Sequence, residues 1–223
     1  LVTERYSKSV QELARKEDIS VGLHFNLSRG RPRAAAGDVR QLVDARGFFF
    51  RKNDRDFSSE LCQEIENELN AQIDVFREWF SRLPSHIDSH HHIHAGKAVF
   101  EVMKNTALRY GLPLRKRFLR RDKRARGISV PDHTLCRFDP AHHWTPESLC
   151  RALFRLAPGI TELIVHPGYC GDVLKKKSTF HQGRLTELKA LLSRDFRRVL
   201  TKKKITLINY NAVAKIYGPA KRK

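Results

Sequence analysis

The sequence has no long hydrophobic run. Its uncharged apolar stretches are short, as at residues 47–50, and none approaches the roughly 20 apolar residues that a membrane-spanning helix needs. No cationic–apolar–small pattern opens the chain, so no secretory signal is visible. Neither a GxGxxG nor a Walker loop occurs, which removes the usual nucleotide-phosphate cradles. The four cysteines (Cys62, Cys136, Cys150, Cys170) include no CxxC pair. They make neither a disulfide scaffold nor a cysteine-based metal site, and fit reduced thiols in the cytoplasm or an organelle. Twelve glycines and nine prolines in 223 residues exclude collagen-like and low-complexity classes. Methionine is nearly absent: Met103 is the only one, and the chain opens on Leu1. The expectation is therefore a processed chain, a fragment, or one with a segment upstream.

Acid is scarce relative to base. There are 24 Asp and Glu against 43 Lys and Arg, for a formal charge of +19. Such a surface attracts polyanions in a salt-dependent way. The densest block, residues 115–126, carries eight basic residues against the single acid Asp122. Only Phe118 interleaves with it, whereas a base-stacking platform needs several aromatics. Arg29-Gly30-Arg31-Pro32 matches the core of a minor-groove hook, yet it directly follows a strand pattern and reads as a loop turn. Solvated loops and helix faces account for most of the charge, and nucleic acid is not the expected partner.

Hydrophobic residues make up 40% of the chain, enough for one mid-sized domain spanning residues 1–223. Apolar periodicity predicts helices over about 4–15, 58–80, 97–110, 184–192 and 194–202, with another opening at Thr145-Pro146. Gly111 stops the third, and Thr145 and Pro146 cap and start the last. Short strands are predicted at 19–25, 85–89, 162–166 and 205–209, and a loop at 28–53. Strand and helix in alternation argue for a parallel sheet with crossover helices. At this spacing an α/β barrel, deformed or open, is preferred over a doubly wound sheet.

Histidine ends three of these strands, as His24, in the run 86–94, and as His166. In parallel α/β architectures that end carries the active site. If the run is extended, His86, Asp88, His90, His92 and His94 share one face, because side chains alternate. Neutral imidazole is a common ligand for divalent transition metals, and Asp88 is placed to orient a ligand histidine through its second ring nitrogen. Ser89-His90 lacks a GxSxG elbow and is set aside as a nucleophile.

These stretches resemble the YdjC-like carbohydrate deacetylases, the group that includes chitooligosaccharide deacetylases. The matching segments are 20–28 (SVGLHFNLS) with 30–32, 42–44 leading to 47–49, 68–77, 86–94 (HIDSHHHIH), 111–115, 127–133, 158–169 (PGITELIVHPGY) and 184 with 187–188. The resemblance implies a deformed β/α barrel that removes N-acetyl groups from N-acetylglucosamine-containing oligosaccharides, with a divalent metal, Mg2+ or Zn2+. It places His24 and His90 on the metal, His166 near the catalytic centre, and His92 and Arg115 along the sugar; Asp88 is the catalytic carboxylate candidate nearest in sequence, expected to sit behind a ligand histidine. It gives no membrane partner and leaves a homodimer open. The family's opening strand, which ends in Asp-Asp-Phe-Gly, has no counterpart here, so the barrel is expected to lack its first strand, first helix and second strand. One of those aspartates would complete the metal site and act as base, so its loss predicts weak metal binding and poor turnover. Three functions follow: the metal-dependent deacetylase, a glycan-binding relative without catalysis, and a basic nucleic-acid-binding module.

Overall fold

The computed structural model of the chain describes residues 12, 15–16, 19–51, 57–116, 127–137, 143–177 and 180–217. Most of the helix expected over 4–15 and residues 117–126 of the basic block lie outside these. The chain forms two compact units, Leu1–Val130 with Ile208–Lys223, and Pro131–Leu207.

The first unit is built on helix α1, Cys62–Phe80. Ile65, Leu69, Ile73 and Phe76 recur at three- and four-residue steps and are buried as one stripe. The helix ends where Ser81 turns left-handed (φ 52°) and returns its N–H to the Arg77 carbonyl. The stripe packs with Leu23 and Phe25 of strand β1, Leu23–Phe25. β1 pairs in parallel with β2, Ile87–Ser89, in the register Leu23↔Ile87, His24↔Asp88, Phe25↔Ser89. Helix α2, Lys97–Tyr110, then carries the chain back, ending at left-handed Gly111 (φ 66°). Leu114 bridges Ile87 in parallel, and the Arg115 N–H donates to the Ile87 carbonyl at 3.1 Å. Three parallel segments thus lie in the order 23–25, 87–89, 114–115, the second and third each reached through a helix, as parallel pairings require.

The second unit pairs β3, His133–Leu135, in parallel with β4, Thr161–Leu163. Helix α3, Pro146–Phe154, opens on a capping box in which Thr145 and Ser148 each accept the other's backbone N–H. Helices α4 (Asp172–Lys177), α5 (Gln182–Leu192) and α6 (Arg194–Lys202) follow. Trp144, Leu149, Leu153, Ala190, Phe196 and Val199 form the core of this unit. The last helix, α7 (Tyr210–Tyr217), belongs to the first unit, where Tyr210 stacks on His86 at 3.7 Å.

The architecture is mixed α/β with parallel strands. Among the described residues the strands form two separate two-stranded sheets. Residues 205–209, expected as a strand, have no ladder partner there, and Leu207 and Ile208 are 68% and 45% exposed. Apolar alternation favours an extended backbone, but only a neighbouring chain makes that backbone a strand. The strand expected at 162–166 pairs only as far as Leu163, and β3, α4 and α7 carry too little pattern to stand out in the sequence.

Gly22 explains why a glycine precedes Leu23-His24. A Cβ on it would lie 2.3–2.6 Å from ring atoms of His86. That ring is held by the Ser85 hydroxyl (2.9 Å) and the Tyr210 stack, so it has little room to yield. Gly22→Ala is expected to cost about 1–3 kcal/mol in urea unfolding, the usual penalty of overpacking.

Candidate active site at the ends of two parallel strands

The β1–β2 register sets His24 beside Asp88. The His24 Nδ1 lies 2.8 Å from Asp88 Oδ1, and Arg115 Nη1 lies 2.8 Å from Asp88 Oδ2. Burial opposes ionisation of Asp88, but His24, Arg115 and His86 outweigh it and hold the carboxyl well below the usual carboxylate range. An ionised Asp88 accepts, so Nδ1 of His24 carries the proton that joins them.

His90 follows the end of β2. Its ring stands edge-on to that of His24, 5.4 Å between centroids. Burial, helped by His91, His24 and Arg29, pushes its pKa down to about 3, so the imidazole is neutral. Among the described residues its buried Nε2 has no hydrogen-bond partner. Proteins rarely leave such an atom unsatisfied without a functional reason.

The shared face expected for residues 86–94 is corrected here. The extended backbone stops at Ser89, and His90–Ala95 turns into 3-10 helix. The Ser89 hydroxyl accepts the His94 N–H at 3.2 Å and closes this turn, so the two-residue alternation ends with the strand. His91 and His92 are left-handed, at φ 52° and 55°. The ring of His91, assigned to the opposite face by alternation, stacks on His90 at 3.8 Å. His92 is half-buried with its ring 5.9 Å from that of His94. Arg115 is buried, and Asp88 links it to His24. His166 is exposed and belongs to the second unit, where its N–H donates to Glu187 at 2.6 Å and its ring meets Phe180 edge-on at 5.5 Å.

The donors fit part of a metal site. Two imidazoles, one oriented by a carboxylate and one neutral with an unsatisfied nitrogen, are donors of the kind a divalent transition metal takes. Among the described residues no group of three or more His, Cys, Asp or Glu is arranged to hold such an ion.

Residues that stood out in the sequence only as parts of matching segments also matter. Glu68 and Gln72, one helical turn apart beside the apolar stripe of α1, are fully buried. Glu68 accepts the N–H groups of Arg33 and Ala34 at 2.8–3.0 Å, which pins the chain just after the Arg-Gly-Arg-Pro segment. Two polar residues beside an apolar helix face were the available signal. Glu187, likewise buried, accepts the N–H groups of His166 and Trp144.

The buried imidazoles set a pH dependence. Burial pushes His86 to about 4, and burial with Arg115 and His92 pushes His94 to about 3, both from 6.5. A depressed folded-state pKa contributes stability above pH 6.5, and that stability drains away as pH falls toward 4 because only the unfolded chain takes up protons. His94 by itself is worth about 2 kcal/mol between pH 6.5 and 5, and His86 and His90 act in the same direction. Urea midpoints are expected to fall steadily from pH 7 to 5. A flat profile would show these rings protonated in the native state.

A family model described as YdjC-like protein matches residues 1–202. A carbohydrate deacetylase of Clostridium beijerinckii is 29% identical over 196 residues, covering 87% of this chain and 78% of that protein. One from Geobacillus stearothermophilus is 32% identical over 203 residues, covering 89% and 78%. A crystal structure from Enterococcus faecalis V583, named for a suggested cellobiose-phosphate cleavage activity, superposes with a TM-score of 0.79 at 28% identity, over 96% of this chain and 85% of that one.

Proposed function

This chain belongs to the YdjC-like protein family, and from that premise we propose that it is a metal-dependent carbohydrate deacetylase, cleaving N-acetyl groups from N-acetylglucosamine-containing oligosaccharides. The observation that carries the proposal is the juxtaposition of Asp88-oriented His24 with His90, whose buried Nε2 is unsatisfied among the described residues. The relatives named carbohydrate deacetylase support the substrate class. A deformed β/α barrel is the architecture expected around the site.

Amide hydrolysis needs an attacking water, a polarised carbonyl and a proton for the leaving nitrogen. His24 and His90 would hold Mg2+ or Zn2+, which supplies carbonyl polarisation and a bound water of lowered pKa. Asp88 keeps His24 in the tautomer with Nε2 open, and its own charge is fixed by Arg115. Burial keeps His90 neutral, so no proton has to leave before it can act as a ligand. The proton that the attacking water loses passes to solvent, and the proton for the leaving amine is assigned to His166 on the strength of the family motif alone. His92 and Arg115 line the sugar site, Arg115 acting there from its bond to Asp88.

The test is acetate release from chitooligosaccharides by the Zn2+- or Mg2+-supplemented protein. One acetate per new free amine is expected, and its complete absence would reject the proposal. A second reading, glycan binding without hydrolysis, is favoured by a donor set that among the described residues has two imidazoles rather than three ligands. Calorimetric sugar binding with no acetate release would select it.

A further inference from the structure

The segment that carries His90 is held under strain. Two consecutive residues with side chains, His91 and His92, occupy the left-handed region, at a cost of about 1–2 kcal/mol each. Such strain persists only where the surroundings impose it. One restraint is Ser89, whose hydroxyl accepts the His94 N–H and lies 2.5 Å from its Nδ1. The other comes from outside the segment: the Ser28 hydroxyl lies 3.0 Å from Nδ1 of His91.

Ser28 is itself set in place from α1. The Gln72 side-chain amide accepts the Asn26 N–H at 3.2 Å and donates to the Asn26 carbonyl at 2.7 Å, as a neighbouring strand would. It thereby continues the pairing of β1 one residue past Phe25. Gln72 also donates to Glu68 at 2.7 Å, which fixes the orientation of its amide. The Asn26 side chain then accepts the Ser28 N–H at 3.1 Å and donates to the Arg29 carbonyl at 2.6 Å. Asn26, Glu68 and Gln72 are fully buried and Ser28 is 6% exposed, so the hydroxyl has a defined position. His91, by contrast, is exposed. A hydroxyl serving only the fold has no need to reach an exposed ring on a strained turn.

We infer that Ser28 is a positioning residue for this site: it fixes the ring of His91 and, through the 3.8 Å stack, the ring of His90, with Gln72 and Asn26 holding the serine. Its catalytic consequence rests on the deacetylase proposal, while its effect on the rings and on metal binding does not.

The test uses Ser28→Ala, Ser28→Thr and His91→Phe in the full chain. Ser28→Ala is expected to move the ring-nitrogen NMR signals of His91 and His90 in the metal-free protein. It is also expected to weaken calorimetric Zn2+ binding by about tenfold, the lower end for an orienting partner. kcat should fall by a similar factor with KM within about twofold, the pattern of a geometry lost in the transition state. Ser28→Thr keeps the hydroxyl and should restore all three. His91→Phe, at an exposed position, keeps a stackable ring without a nitrogen for Ser28 and should reproduce the Zn2+ loss even if Ser28→Ala unfolds the chain. A lowered melting temperature with unchanged ring signals and Zn2+ affinity overturns the inference. If the parent protein releases no acetate, the deacetylase proposal falls alone, and ring signals and Zn2+ affinity still decide the role of Ser28.

Discussion

Replacing His90 with alanine is expected to lower kcat/KM for acetate release by at least about 10³-fold, the range seen when a principal electrophilic group is removed. The same change should leave the fold as stable as before, or slightly more so. His90 brings a ring nitrogen into a buried place where no described residue satisfies it. An unsatisfied buried polar atom costs about 1–3 kcal/mol. Removing it relieves that cost, while the cavity left by a half-buried ring offsets part of the gain. A residue that costs the fold and serves the chemistry shows this opposition of signs. Paired measurements of steady-state kinetics and urea unfolding check it. A variant that loses stability but keeps activity would remove His90 from the site.

Asp88→Ala should have the largest effect on the fold. The carboxylate is buried between His24 and Arg115, and Arg115 is itself 8% exposed. Removing the anion leaves a guanidinium out of water without its counter-charge, which costs about 3–5 kcal/mol. The double variant Asp88→Ala, Arg115→Met removes both charges and should recover much of that loss, because a neutral pair of similar volume carries no desolvation penalty. Activity should not recover with it, since His24 has then lost the acceptor that fixes its tautomer. Equal stability of the single and double variants would show that Arg115 finds another partner and that Asp88 is not its anchor.

Helices were largely legible from the chain. Residues 194–202 and 97–110 match their predicted limits, and the helix expected over 58–80 begins as a 3-10 turn at 59–61 before running to Phe80. Their signals are local: apolar steps of three and four, Gly111 at one end, Thr145 and Pro146 at another. Strands were legible only as extended apolar pieces, since their length depends on partners distant in sequence, as residues 205–209 illustrate. In the site, the residue types at 24, 88 and 90 pointed to imidazole and carboxylate chemistry. The alternation drawn through 86–94 failed because Ser89 ends the strand, a choice made by hydrogen bonds across the turn.

By itself the sequence determined most of the described helices and the family, because propensity, spacing and motif are properties of neighbours along the chain. Tertiary structure decided the rest. The β1–β2 register alone sets Asp88 against His24, and a one-residue slip would separate them. Folding also stacked His91 on its chain neighbour His90 and brought Ser28 onto His91 from 63 residues away, contacts that only a settled backbone can specify.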